Sequence, residues 1–171
     1  NAVPIFKMPA NIITVDLENF RDEFKGKKIK GLLLENDFIP VPSRKIIENE
    51  NMFKEHILAY IDDPALAYFL HIQGSGVITL PSGKILSVGY AGDNGKKYYS
   101  IGKDLIEKGI IKKEDMSMQS ILTWMKNNQQ EAFDLMQKNN RFIFFRERKN
   151  MELPEGSSGV EVTPMYSAAI D

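Results

Sequence analysis

The chain contains no cysteine, which excludes disulfides and thiolate metal sites and leaves its compartment open. Histidine occurs only at His56 and His71. A lone imidazole in an apolar run, as at His71, is more often packed or hydrogen-bonded than metal-ligating. No metal and no cofactor is therefore expected. Neither sign of charge dominates, with 22 basic against 23 acidic residues and a net charge of −1. That balance carries no polyanion-binding footprint, so nucleic acid is not an expected partner. No apolar run approaches the length of a membrane span, and no signal peptide is visible. Internal repeats and low-complexity tracts are missing as well.

What is present is ordinary for a soluble globular protein: 171 residues, 43% hydrophobic and 26% charged. That length supports one domain, or one domain with the edges of a second, and a real core. The chain opens on Asn1-Ala2 without Met, a pair that looks like the remnant of tag removal. It stops in the strand-like run Ser167-Ala168-Ala169-Ile170-Asp171. Both ends suggest an excised piece of a larger protein.

The most informative stretch runs from Phe69 to Gly102. It reads as a strand ending in Gln73-Gly74-Ser75-Gly76, an apolar run through Val77, Ile78 and Leu80, and a turn at Pro81-Ser82-Gly83. A return strand covers Lys84 to Tyr90, and Gly92-Asp93-Asn94-Gly95 forms a second turn before Ser100-Ile101-Gly102 opens a helix. Glycines here let a ligand approach the backbone, while Gln73, Ser75, Tyr90, Asn94, Tyr98 and Ser100 offer neutral hydrogen-bonding groups. Such a surface suits a neutral polyhydroxylated ligand better than a polyanion. A plainer reading stands beside it, because Gly-Ser-Gly is often only a bulge and Gly-Asp-Asn-Gly only a hairpin loop.

The flanks read as a mixture of elements. Residues 3–15 are extended and proline-punctuated, Asp16 caps a short helix carrying Leu17, Phe20 and Phe24, and Lys27 to Leu34 is a strand. Ser43 caps a helix with Ile46 and Ile47 inward, and Phe53, Ile57, Tyr60 and Ile61 suggest a second helical stripe. The nearly continuous apolar run Ala65 to Ile72 reads as a buried strand. Helices are expected from Ile101 to Lys108, after Ser117, and from Gln130 to Lys138. Phe142-Ile143-Phe144-Phe145 reads as a strand apolar on both faces, and Arg146 to Lys149 as its solvated end. Residues 151–159 have a linker composition.

Several of these segments resemble one family in order and spacing. Gln73-Gly74-Ser75-Gly76, Val88-Gly89-Tyr90-Ala91-Gly92-x-Asn94-Gly95, Tyr98-x-Ser100-Ile101-Gly102 and Met116-Ser117-Met118-Gln119 look like the membrane-bound lytic murein transglycosylase A family. Weaker likeness covers Pro4 to Pro9, Val15-Asp16-Leu17, Ser43-Arg44, Phe142 to Arg146 and Val162 onward. The resemblance implies an α+β fold: a small antiparallel β-barrel insert decorated with helices, flanked by short pieces of a double-psi β-barrel. Residues 16–150 would be the insert, 1–15 the N-terminal flank, and 151–171 a linker and the return into the double-psi barrel.

It also implies a function. The family cleaves the β-1,4 bond between N-acetylmuramic acid and N-acetylglucosamine in peptidoglycan, leaving 1,6-anhydromuramic ends. One aspartic acid carries that chemistry, and no stretch here matches its motif, so the chain alone is expected to be inactive. Asp171 matches a different aspartate and is at best a supporting residue. The resemblance makes Gln73, Gly74, Ser75, Gly76, Tyr90, Gly92, Asn94, Tyr98, Ser100 and Gly102 one wall of a glycan-binding groove. The expected partners are peptidoglycan glycan strands and the remaining double-psi barrel, on the periplasmic side of the outer membrane. Val77 and Val41 depart from the family pattern and are expected to thin the sugar-contacting wall. A stand-alone carbohydrate-binding module and a purely structural insert are the alternatives.

Overall fold

The computed structural model describes residues 2–50 and 52–149. Asn1, the expected linker and Asp171 lie outside these residues. The elements in chain order are β1 (Val3–Phe6), β2 (Ile12–Asp16), β3 (Lys28–Leu33), β4 (Phe38–Pro40), α1 (Arg44–Glu50), β5 (Ile57–Ile61) and α2 (Pro64–Gln73). They continue with β6 (Ser75–Thr79), β7 (Ile85–Asp93), α3 (Ile101–Glu107), α4 (Met118–Asn127), α5 (Gln129–Lys138) and β8 (Ile143–Glu147). The class is α+β, as expected.

The strands form three antiparallel sheets, β1–β5, β2–β3–β4 and β6–β7–β8. A parallel bridge from Lys7 to Phe145 joins the first sheet to the third. The closed barrel expected from the resemblance is not seen among the described residues. Strand pairing stops at the edges of three separate sheets of two, three and three strands, so no ring closes.

Three apolar clusters hold the molecule together. One is helical and draws Tyr68 and Phe69 of α2, Leu105 of α3, Met125 of α4 and Leu135 of α5. The second packs Phe6, Ile12, Leu32, Val41, Ile47 and Phe53 on Phe142 and Phe144. The third packs Ile5, Leu70, Leu86 and Val88 on Ile143 and Phe145. Alternate side chains of β8 thus enter different clusters, which is why its sequence is apolar without a break.

Two segments differ from their sequence reading. Ala65 to Ile72 is a helix and not a strand. Asp63 accepts from the Ala65 and Leu66 amides, Pro64 occupies the first turn, and Gly74 closes the helix at φ 77°. Ala67 to His71 are buried on every side, because α2 lies between the helical cluster and the sheets. A helix apolar all round shows no 3.6-residue period, so it mimics a buried strand. Conversely, Ile57 to Ile61 is strand β5, pairing with β1, and the helical stripe drawn through Phe53 and Ile57 is accidental. The short helix after Asp16 is two 3₁₀ turns, with Asp16 capping the first and Phe20 exposed. Ile46 is also exposed, so α1 buries Ile47 alone of that pair. Ser117 caps α4 through a reciprocal capping box with Ser120, as its spacing suggested.

Two fully buried asparagines tie these parts together. Asn94 Nδ2 donates to the carbonyls of Pro42 and Asn140, both at 2.8 Å, and its Oδ1 accepts from the Phe142 amide at 2.9 Å. Asn139 Oδ1 accepts from the Tyr99 and Arg141 amides, and its Nδ2 donates to the Tyr68 hydroxyl. Replacing Asn94 by Ala leaves the buried Phe142 amide without its side-chain acceptor. Asn94→Ala is expected to lower stability by about 3 kcal/mol in urea unfolding. Asn36→Ala, in an exposed turn, is the control and should change it by less than about 0.5 kcal/mol.

Candidate functional site

The end of α2, the start of β6 and the return through β7 fold around an open cleft of about 690 Å³. Gln73, Gly74 and Ser75 form one side. Tyr90, Tyr98 and Ser100 come from β7 and from the loop before α3. Six of the ten residues singled out in the sequence therefore meet at one cavity.

The floor explains why a glycine stands at Gly89. Ser75 pairs with Gly89, and Gly89 pairs with Arg146, so the three form one row across β6, β7 and β8. A Cβ on Gly89 would lie 3.0 Å from Cδ of Arg148, whose stem crosses the bare backbone there. Gly74 contributes differently. Its left-handed conformation at the C-terminus of α2 turns the chain directly into β6.

Below the floor, His71 is buried and its Nδ1 accepts from the Ile143 amide at 3.2 Å. Burial, aided by the Arg44 charge, pushes its pKa well below the ordinary value, so the ring is neutral and its proton sits on Nε2. Its packing against Phe142 and Phe145 makes it a positioning element beneath the cleft. The expectation of a hydrogen-bonded ring is met, on a helix instead of a strand.

Tyr90 is fixed by a charged network. Its hydroxyl donates to Asp93 Oδ2 at 2.7 Å, and Arg141 Nη2 donates to the same oxygen at 3.0 Å. Lys30 Nζ and the Gly95 amide donate to Oδ1 at 2.9 and 2.7 Å. Burial pushes the Tyr90 phenol up to about 12, reinforced by the neighbouring carboxylate. Burial also pushes the Asp93 carboxyl up, but the donors from Lys30, Tyr90, Gly95 and Arg141 outweigh it and hold the pKa below the ordinary value.

The remaining four residues lie elsewhere. Asn94 is buried in the fold, with both ends of its amide bonded to main chain, so it has no group to offer a ligand. Gly76 packs against Leu70, and Gly92 against Met8. Gly102 lies near Met116 and Ile121, in the first turn of α3. Nor does either departure from the family pattern thin this wall. Val41 is a core residue of the second cluster, and Val77 is exposed on β6 outside the cleft.

Sequence reading missed the arginines. Arg141, Arg146 and Arg148 all line the cleft, and among the described residues no carboxylate does. They follow one another around β8, where Arg146 to Lys149 looked like a solvated strand end. Only the pairing of β8 with β7 brings them beside Ser75 and Tyr90. The neutral surface expected from the glycine-rich stretch is therefore half of the wall, and the other half is cationic.

The Asp93 network has a defined pH signature. A depressed folded pKa stabilises the protein above the ordinary aspartate value of about 4, and that stability is lost as pH falls through the folded value. Asp93→Asn is expected to cost about 2 kcal/mol at pH 7. Urea midpoints taken at decreasing pH should show this gap closing below about pH 4. A gap that stays constant down to the acid transition would overturn the assignment.

The family model described as the MltA specific insert domain matches residues 1–146. A membrane-bound lytic murein transglycosylase A homolog of Buchnera aphidicola is 40% identical over 133 residues, 77% of this chain and 36% of the relative. The membrane-bound lytic murein transglycosylase A of Escherichia coli K12 is 38% identical over 133 residues, with the same coverage. The crystal structure of a membrane-bound lytic murein transglycosylase from Agrobacterium tumefaciens superposes with a TM-score of 0.78 at 25% identity, covering 94% of this chain and 45% of that one. The chain thus spans about a third of the length of the curated relatives it matches. With 146 residues matched in sequence and the fold matched in space, the chain belongs to the MltA-specific insert domain family.

Proposed function

We propose that this chain is the glycan-binding insert of a peptidoglycan lytic transglycosylase. The parent enzyme cleaves the β-1,4 bond between N-acetylmuramic acid and N-acetylglucosamine and leaves 1,6-anhydromuramic ends. The observation that carries this reading is the composition of the cleft wall. It offers an amide at Gln73, hydroxyls at Ser75 and Ser100, two tyrosine rings at Tyr90 and Tyr98, and among the described residues no carboxylate. Tyrosine faces stack on pyranose rings, and amides and hydroxyls reach N-acetyl and ring oxygens. The names of the relatives, all lytic murein transglycosylases, support the substrate class.

In this reading the insert takes in residues 16–150 together with the flank 1–15, whose strand β1 pairs with β5, and 151–171 lead into a double-psi β-barrel. The carboxylic acid that protonates the glycosidic oxygen belongs to that second domain, so the insert binds and orients while the partner domain reacts. The parent acts on the periplasmic side of the outer membrane, in keeping with relatives described as membrane-bound.

Titration of the 171-residue chain with chitohexaose, followed by amide NMR shifts, tests the binding role. Shifts are expected at Gln73 to Ser75, Gly89-Tyr90 and Tyr98 to Ser100. Tyr98→Ala should weaken binding about fivefold, the loss of one ring stack. The chain alone should release no anhydromuropeptide from peptidoglycan. Absence of any shift at millimolar chitohexaose would sink the binding role and leave a structural insert; release of anhydromuropeptide by the chain alone would sink the division of labour.

A further inference from the structure

A neutral sugar can accept hydrogen bonds from the arginine half of the cleft, but it leaves the charge there unanswered. Arg141, Arg146 and Arg148 converge on one cavity in a chain whose net charge is −1. Arg141 is bonded to Asp93, but that carboxylate also holds Lys30, so two cations share one anion. The Arg146 side chain makes no ion pair or hydrogen bond with any described residue, its main chain being paired in the sheet. It stands beside Gly89 on the sheet, in the same cross-strand row as Ser75. Arg148 lays its stem over the same glycine.

Guanidinium groups present a planar fork that matches a carboxylate with two parallel hydrogen bonds. An open cleft with guanidinium groups on one side and neutral hydrogen-bonding groups on the other fits a saccharide that carries a carboxylate. We infer that this wall recognises a carboxylate borne by the glycan strand, with Arg146 as its principal contact and Ser75, Gln73 and the tyrosines holding the sugar beside it. In peptidoglycan that group is either the lactyl carboxyl of N-acetylmuramic acid or a carboxyl of the attached stem peptide. The inference rests on the glycan-binding reading and adds to it a preference: charged muramic acid residues are selected over plain N-acetylglucosamine.

The test compares three hexasaccharides on the 171-residue chain by calorimetry: chitohexaose, a peptide-free glycan alternating N-acetylglucosamine and N-acetylmuramic acid, and the same glycan with stem peptides. At low salt a carboxylate-bearing glycan is expected to bind about fivefold tighter than chitohexaose, as for one partly exposed ion pair. That ratio should shrink as sodium chloride is raised. Arg146→Gln should bring the ratio near unity, and Arg146→Lys should restore part of it, since the charge returns without the fork. A preference already present in the peptide-free glycan identifies the lactyl carboxyl; one that appears only with stems identifies the peptide. Equal affinity for all three ligands overturns this inference and leaves glycan binding intact, as does a ratio unchanged in Arg146→Gln. Failure of all three to bind overturns glycan binding and this inference together.

Discussion

The segment from Asn139 to Phe142 is the constraint on which the rest of the structure depends. It has no regular structure of its own, yet it joins α5 to β8 and must satisfy its main-chain groups in a buried setting. Three side chains do this. Asn94 and Asn139 supply amides, and Arg44 donates from Nε to the Asn139 carbonyl at 3.1 Å and from Nη2 to the Arg141 carbonyl at 2.8 Å. Arg44 is itself only 2% exposed. A bare guanidinium there would be costly, and the cost is offset by Glu48 at 2.8 Å and by the rings of Tyr68 and Phe142 beneath it. Every donor and acceptor in this knot has one arrangement that satisfies its neighbours, so the knot fixes position more than it adds stability.

The cleft follows from that fixation. Phe142 anchors the entry to β8, and β8 then runs beside β7 with Arg146 opposite Gly89. A β-bulge between Tyr90 and Gly92 shifts the register of β7 against β8. Tyr90, which sequence alternation places with the buried Val88, instead reaches the cleft and bonds to Asp93. Tyr90 on one side of the cavity and the arginines on the other are thus set by one strand pair. Helix α2 completes the site by ending at Gly74, with His71 packed beneath on the phenylalanines of β8.

Much of this was legible in the sequence, and the failures share a cause. The hairpin of β6 and β7 was marked by Pro81-Ser82-Gly83, where Gly83 adopts φ 79°. Helix α4 was marked by Ser117, and the two-faced β8 by its unbroken aromatic run. These signals are local, and they survive in any tertiary context. Helix α2 failed because burial on all sides erased its period, although its caps at Asp63-Pro64 and Gly74 were readable. In sequence Asn94 reads as a ligand-facing amide, because an asparagine between glycines looks the same in a binding loop and in a buried knot. Its partners Pro42, Asn140 and Phe142 are 46 to 52 residues away, a distance over which no spacing rule operates. The arginines were missed for the same reason, since their meaning depends on which strand lies beside them.

The electrostatics of the insert also bear on where the chemistry resides. A general acid at neutral pH needs a carboxyl whose proton is retained, and so a raised pKa. Here both carboxyls that the fold clearly perturbs move the other way. Donors around Asp93 outweigh its burial and depress it, and a hydrogen bond from Lys108, with one from Tyr99, depresses Asp104. Asp93 points its oxygens at cations and amides behind Tyr90 instead of into the cleft. Arginines lining the same cavity favour the charged form of any carboxyl brought close to them. A wall of this kind therefore lowers, and does not raise, the pKa of a carboxyl placed against it. In the proposed division of labour, the acid must therefore enter from the opposite side of the groove, far enough from Arg146 for its proton to survive.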